Sequence, residues 1–169
     1  MEVSFTSERL LFRKFTEQDG HLIYDLNIDP EVTKYLHEEP MTEERAKHIL
    51  NDIILPQYTL YNHGRWAVHL KANEEFIGWC GLKYRPELDK IDLGYRFMKS
   101  AWKHGYATEA AKQTIKYGFE QLLLKEIFAA AHVENVGSLR VLEKCGMKFI
   151  GYDTIDHCPV KTFSIVNKI

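Results

Sequence analysis

The stretch Lys90–Val133 reads KIDLGYRFMKSAWKHGYATEAAKQTIKYGFEQLLLKEIFAAAHV, and its changes of period decide the fold. Lys90–Met98 is a β run. From Tyr106 the period becomes helical, with Ala107, Ala110, Ala111, Thr114, Ile115, Gly118 and Leu122 on one face. Ile127–Val133 is short and almost wholly apolar, as a strand buried on both faces should be. A strand–helix–strand unit of this kind is a right-handed crossover with parallel strands. Ligands of such sheets favour the carboxyl ends of the strands, which directs attention to Phe97–Thr108.

Upstream, residues 8–15 (ERLLFRKF) read as a strand. His21–Asn27 has apolar residues at helical spacing, and Pro30 is expected to open a second short helical piece through Leu36. Thr42-Glu43-Glu44-Arg45 starts a longer helix, which Pro56 is expected to end. Trp66–Leu70 and Phe76–Tyr84 read as strands that join Lys90–Met98 in an antiparallel meander. Downstream, Val136–Cys145 is a helix with Gly146 as its natural stop, and two β segments follow near 147–154 and 161–167.

The chain has 169 residues, 45% hydrophobic and 27% charged, which fits one globular domain. No apolar run approaches the ~20 residues of a membrane helix, and the acidic N-terminus does not resemble a secretory signal. Cys80, Cys145 and Cys158 form neither a disulfide framework nor a CxxC pair, so reduced thiols in the cytoplasm are expected. Net charge is −2, but residues 17–44 hold nine acids against Lys34, a charge of −8 that leaves +6 elsewhere. A nucleic-acid reader would need one broad basic face instead.

Two elements carry the chemistry. At Met98–Ala111 a strand ends, a basic loop follows and a helix begins near Gly105. Free N–H groups and partial positive charge at a helix start suit phosphate oxygens, and Lys99, Lys103 and His104 add charge nearby. The second element is His132–Arg140, where Asn135 caps a helix and Ser138 lies three residues into it. Each alone also reads as an ordinary turn glycine or helix cap. Both, however, fall at carboxyl ends of the same parallel strands.

ERLLFRKF (8–15), DLGYRFMKSAWKHGYATEAA (92–111) and AHVENVGSLRVLEKCGMKFIGY (131–152) together resemble the GNAT superfamily of acyl-CoA-dependent N-acetyltransferases. The resemblance is strongest to the branch that includes ribosomal-protein-alanine acetyltransferases. The superfamily loop Q/R-x-x-G-x-G/A is met by Gly105 and Ala107, with Trp102 at the first position. The resemblance implies one α/β (α+β) domain over 8–168. Its sheet would be mixed, mostly antiparallel, twisted and of about seven strands, with helices on both faces and a splayed parallel pair holding coenzyme A. Acetyl-CoA would be the acyl donor. Its pyrophosphate would sit on Lys103, His104, Gly105, Tyr106, Ala107 and Thr108. Backbone groups of Phe97 and Met98 would align the thioester, and Asn135 and Ser138 would flank pantetheine and sulfur.

The family reaction is attack of a neutral amine on the thioester carbonyl. An α-amine has a pKa of ~8 and a lysine ε-amine ~10.4, so an α-amine needs far less help from a base. Many superfamily members use a tyrosine acid four residues before the glycine that ends the last helix. Here that position is Leu142, and Ser138 is the expected substitute. Asp92 and Glu109 are candidate bases, with a water relay as the alternative. His69 and His132 are expected in the core or at the rim, and no spacing resembles a zinc site. The expected acceptor is a protein N-terminus, with a small amine (polyamine, amino sugar, aminoglycoside) second. No nucleic acid or membrane partner is expected, and the chain is read as a monomer or homodimer. A non-catalytic acyl-CoA-binding module is the alternative of another class. A nucleotide binder is disfavoured, because GxxxxGK[ST] and GxGxxG are absent. The acidic 17–44 segment is expected to border the acceptor groove and draw cationic amines.

Overall fold

The computed structural model describes residues 1–168. Its eight-stranded sheet runs β1 (Phe5–Thr6), β2 (Leu10–Lys14), β3 (Arg65–Leu70), β4 (Phe76–Arg85), β5 (Lys90–Phe97), β6 (Glu126–His132), β8 (Cys158–Val166), β7 (Lys148–Ile155) in spatial order. Every neighbouring pair is antiparallel except β5–β6, which is parallel. The expected count of about seven strands misses β1, only two residues long and too short to show a period. Phe5 secures it, stacking on Phe12 and Tyr117 with ring centroids 4.4 and 4.2 Å apart.

Helices cover both faces. On one face α4 (Tyr106–Glu120) and α5 (Val136–Lys144) bury Ala110, Ala111, Ile115 and Leu142 against Trp66, Val68, Leu82, Leu93 and Ile127. On the other, α1 (Gly20–Asn27), α2 (Glu43–His48) and the turns after it bury Ile23, Leu26, Ala46, Leu50 and Ile54 against Ala67 and Phe76. Side-chain alternation explains the division, since Trp66 and Val68 face one layer and Ala67 the other. Gly118 of α4 lets the helix pack closely on the sheet, since a Cβ there would stand 3.0 Å from Leu82 and 3.1 Å from Ile127 and press on both side chains. Among the described residues no helix is long and apolar enough to cross a membrane.

Two expectations about helices fail for local reasons. Pro30–Leu36 forms successive turns rather than a helix. Asp29 Oδ1 caps the first turn through the Glu31 amide at 2.9 Å, and Val32 and Thr33 donate to Asp29 O, but the next bond is a three-residue turn from Leu36 N–H to Thr33 O, so the winding does not propagate. Pro56 does not end the second helix. A proline clashes with the carbonyl four residues back in an α-helix, but Ile49–Ile54 winds as a π-helix, with Leu55 N–H donating to Leu50 O five residues back. The chain then continues helically through Pro56 as α3 (Leu55–Tyr61). The helix starts where expected, with Thr42 Oγ1 accepting the Arg45 amide at 3.0 Å.

Candidate active site

The two parallel strands are bridged at a single register position, Asp92 opposite Phe128. Beyond it β5 and β6 diverge toward their carboxyl ends and open a cleft of about 720 Å³. Met98 N–H donates to Ile77 O at 2.9 Å, next to the Gly78–Phe97 pair. Antiparallel hydrogen-bond alternation then turns the backbone groups of Tyr95 and Phe97 away from β4 and toward β6. Phe97 O is taken by Trp102 Nε1 at 2.9 Å, and Phe97 N–H is left facing the gap. Met98, named with Phe97 in the sequence expectation, does not turn its N–H to the gap. Its amide is used, and its side chain packs with the other layer.

The loop after β5 supplies a run of free amides. No N–H from Lys103 through Thr108 donates to another group of the described chain. Lys103 and Gly105 both adopt left-handed φ, 66° and 79°, and such turns gather successive amides around one concavity. These residues fit a pyrophosphate. Arg9, unnoticed in the sequence, fixes the loop from β2's side: its Nη1 donates to His104 O at 2.9 Å and its guanidinium lies 4.5 Å from the Tyr106 ring centre. Lys103, Gly105, Tyr106, Ala107 and Thr108 line the cleft, whereas His104 contributes its carbonyl to Arg9 instead.

Glu109 is drawn the other way. Its carboxylate accepts Ser7 Oγ, Arg9 N and Arg9 Nε at 2.6–2.7 Å, outside the cleft. Burial would raise its pKa, but these partners bring it below the ordinary value. A carboxylate so occupied is a latch between strand and helix rather than a base.

On the opposite wall Asn135 Oδ1 caps α5 through the Ser138 amide at 3.2 Å. Ser138 Oγ meets the Tyr95 hydroxyl at 2.9 Å, and that hydroxyl also donates to Ser138 O at 3.1 Å. Tyr95 thus spans the gap from β5 to α5 just where the strands part. Burial pushes its phenol above the ordinary value, so it stays protonated. The sequence reading sought a tyrosine on the last helix and overlooked one on the facing strand. The available signal was the alternation Leu93, Tyr95, Phe97, which puts all three on the α4–α5 side.

The other face of β5 presents Asp92, Gly94 and Arg96. Asp92 Oδ2 is held by Arg85 Nε at 2.6 Å, and Arg85 also binds Asp156 at 3.2 Å. Burial raises the Asp92 pKa against the pull of Arg85 and Lys83. Arg96 binds Asn27 Oδ1 and, at 3.3 Å, Glu38. Arg65 and Lys83 complete this wall; burial depresses both, Arg65 to about 10. Of the nine acids in the 17–44 segment, Glu31 and Glu38 line the cleft beside Val32, Lys34, Tyr35 and Leu36, and Glu38 is already paired with Arg96 and Arg45. The inner wall therefore carries more cation than acid, contrary to expectation.

His69 is buried, its Nε2 accepting from Arg13 at 3.0 Å and its Nδ1 meeting Glu74 O. His132 stands at the cleft rim against Tyr35. Among the described residues no three His, Cys, Asp or Glu side chains gather as a metal site.

Residues 9–148 match the Acetyltransferase (GNAT) domain. The uncharacterised N-acetyltransferase YnaD of Bacillus subtilis is 34% identical over 148 residues, covering 87% of this chain and 84% of that protein. A GNAT-family acetyltransferase structure from Bacillus anthracis superimposes with a TM-score of 0.83 at 31% identity, covering both chains fully. Two more distant structures share the fold. One is the ribosomal-protein-S5-alanine acetyltransferase of Vibrio fischeri, with TM-score 0.75 and 21% identity over 99% of this chain and 98% of that one. The other is the spermidine N-acetyltransferase of Vibrio cholerae in complex with CoA and spermine, with TM-score 0.78 and 20% identity over 94% and 95%. With the domain matched over most of its length, a splayed strand pair and a free-amide loop, this chain belongs to the GNAT family of acetyl-CoA-dependent N-acetyltransferases.

Proposed function

We propose that the chain moves the acetyl group of acetyl-CoA onto a neutral α-amine, that of a protein N-terminus. The observation that carries this reading is that the acids on the acceptor wall are tied up, Asp92 buried and Glu38 and Asp156 exposed. Glu38, Asp92 and Asp156 each hold an arginine. None is a strong base able to strip a lysine-type ammonium, whose neutral fraction at pH 7 is below about a thousandth; an α-amine is neutral to about a tenth. A small α-amine is the second reading. The 29–39 segment favours it by lying across the acceptor side: Tyr35 contacts His132, and Cys158 Sγ approaches Tyr35 O at 3.7 Å.

Acetyl-CoA supplies the activated carbonyl. The amides of residues 103–108 bind its pyrophosphate, and Phe97 N–H donates to the carbonyl oxygen as charge grows there. The amine nitrogen forms a bond to the carbonyl carbon and the C–S bond breaks. As the N–C bond forms, the nitrogen becomes acidic, and Asp92 Oδ1, which has no partner in the described chain, accepts its proton. The leaving sulfur receives a proton or hydrogen bond from the Tyr95–Ser138 pair, with Asn135 Nδ2 beside it. The three free cysteines suit a reducing cytoplasm.

Thiol release from acetyl-CoA on addition of amines tests this reading. Peptide α-amines should be turned over faster than lysine side chains of the same peptide. Ser138→Ala should slow turnover several-fold with little change in coenzyme affinity. Coenzyme binding with no thiol release from any amine would make the chain an acyl-CoA-binding module.

A further inference from the structure

Gly81 and Gly94 are paired across β4 and β5 and add no side chain to the acceptor face, where the Trp79 ring lies over Gly94, 3.3 Å from where a Cβ would stand. Trp79 and Arg96 wall this trough on one side, Lys83 and Asp92 on the other, and Arg65, paired with Gly81, closes its β3 end. All of these line the same cleft as the splayed strands. Gly94 directly precedes Tyr95, so the trough opens onto the point where the strands part.

The charges in this trough do not balance. Arg96 is matched by Glu38, and Arg85 by Asp92 and Asp156. The side chains of Arg65 and Lys83 make no hydrogen bond or ion pair with the described chain, and the Arg65 guanidinium stands 4.7 Å from the Trp79 ring centre. Two cations facing a partly dehydrated pocket whose nearby carboxylates, Glu38, Asp92 and Asp156, are already bound to other arginines are costly. They also repel a polycationic acceptor. A carboxylate relieves both, because a guanidinium fork binds it through two parallel N–H donors and an ammonium adds a third.

We propose that the acceptor amine also carries a carboxylate, which Arg65 and Lys83 bind. This rests on the acetyl-transfer reading above and deepens it, making the substrate an amino acid or a peptide whose first residues include Asp or Glu. The amine then lies at the Gly94 end of the trough and the carboxylate at the Arg65 end. The acidic 17–44 segment, turned mostly outward, does not select this ligand.

Binding and turnover are to be measured separately. Calorimetric titration of the CoA-loaded protein with alanine and alaninamide, and with the amides of Ala-Asp-Ala and Ala-Asn-Ala, reads the trough without catalysis. At least one carboxylate member should bind about tenfold or more tightly than its neutral partner, the range for a charge-assisted bond. Which pair shows the gap distinguishes a free amino acid from a peptide. Arg65→Gln and Lys83→Gln should each erase most of it, Arg65→Lys should restore part, and the acetyl-CoA KM should stay within about twofold. Equal binding of acid and amide in both pairs, or preference for putrescine, overturns the proposal. Thiol release with the same compounds tests the reaction itself. Carboxylate-selective binding without release leaves the trough assignment standing and removes the transfer reading, while release with neutral amines alone does the reverse.

Discussion

The two ends of the cleft are built from different materials. The coenzyme end is backbone: free amides of residues 103–108 and the Phe97 N–H, shaped by Lys103 and Gly105 at left-handed φ. The acceptor end is side chain: Arg65, Lys83, Arg85, Asp92 and Arg96, contributed by three strands. A backbone site recognises what every member of a reaction class shares, because any sequence with the right turn offers the same donors. A side-chain site changes with single substitutions, and is where a shared chemistry acquires a particular substrate.

That contrast can be broken at either end. The largest effect is expected from Gly105→Glu, which forces a side chain into left-handed backbone and sets a carboxylate in the anion cradle. Coenzyme affinity should fall about a thousandfold, with the circular dichroism spectrum unchanged. Retained micromolar affinity would show that the amides do not hold the pyrophosphate. Next, Asp92→Asn should lower kcat about a hundredfold while coenzyme affinity holds; equal losses at both substrates would mark Asp92 as a support for Arg85 only. Tyr95→Phe should lower kcat about tenfold, less for thioesters with more acidic thiols. A loss independent of the leaving thiol would reduce Tyr95 to a strut between β5 and α5. The smallest effect is expected from Arg9→Ala, which frees His104 O and should weaken coenzyme binding by only a few-fold, without altering acceptor selectivity.

The same contrast explains what the sequence discloses. The coenzyme end is contiguous, so Gly105 at the start of an amphipathic helix and Asn135 at the start of the next mark it plainly. The crossover from Lys90 to Val133 likewise follows from local periods. The acceptor end has no contiguous signature. Arg65, Lys83 and Arg96 lie on three strands and meet only through register, and a bulge between Val68 and His69 shifts that register in a way no local period reports. Tyr95 was hidden by the same rule, being recognisable only once α5 is seen opposite β5. The acidic 17–44 segment misled because charge counts ignore direction: Glu38 turns inward to Arg96, and most of the other acids face solvent. Pro56 misled because a π-wound stretch precedes it, and Pro30 because the turn capped by Asp29 does not propagate.

Mechanically, the single bridge between Asp92 and Phe128 leaves the sheet as two plates, β1–β5 and β6–β8, sharing one seam. The α4 crossover on one side and the contact of Tyr35 with His132 on the other act as straps across it. A molecule seated in the seam replaces missing strand pairing, so its binding energy is also cohesion between the plates. Amides facing the gap on β5 and β6 should then exchange with solvent more slowly once the coenzyme is bound, while those in the antiparallel meander keep their pace.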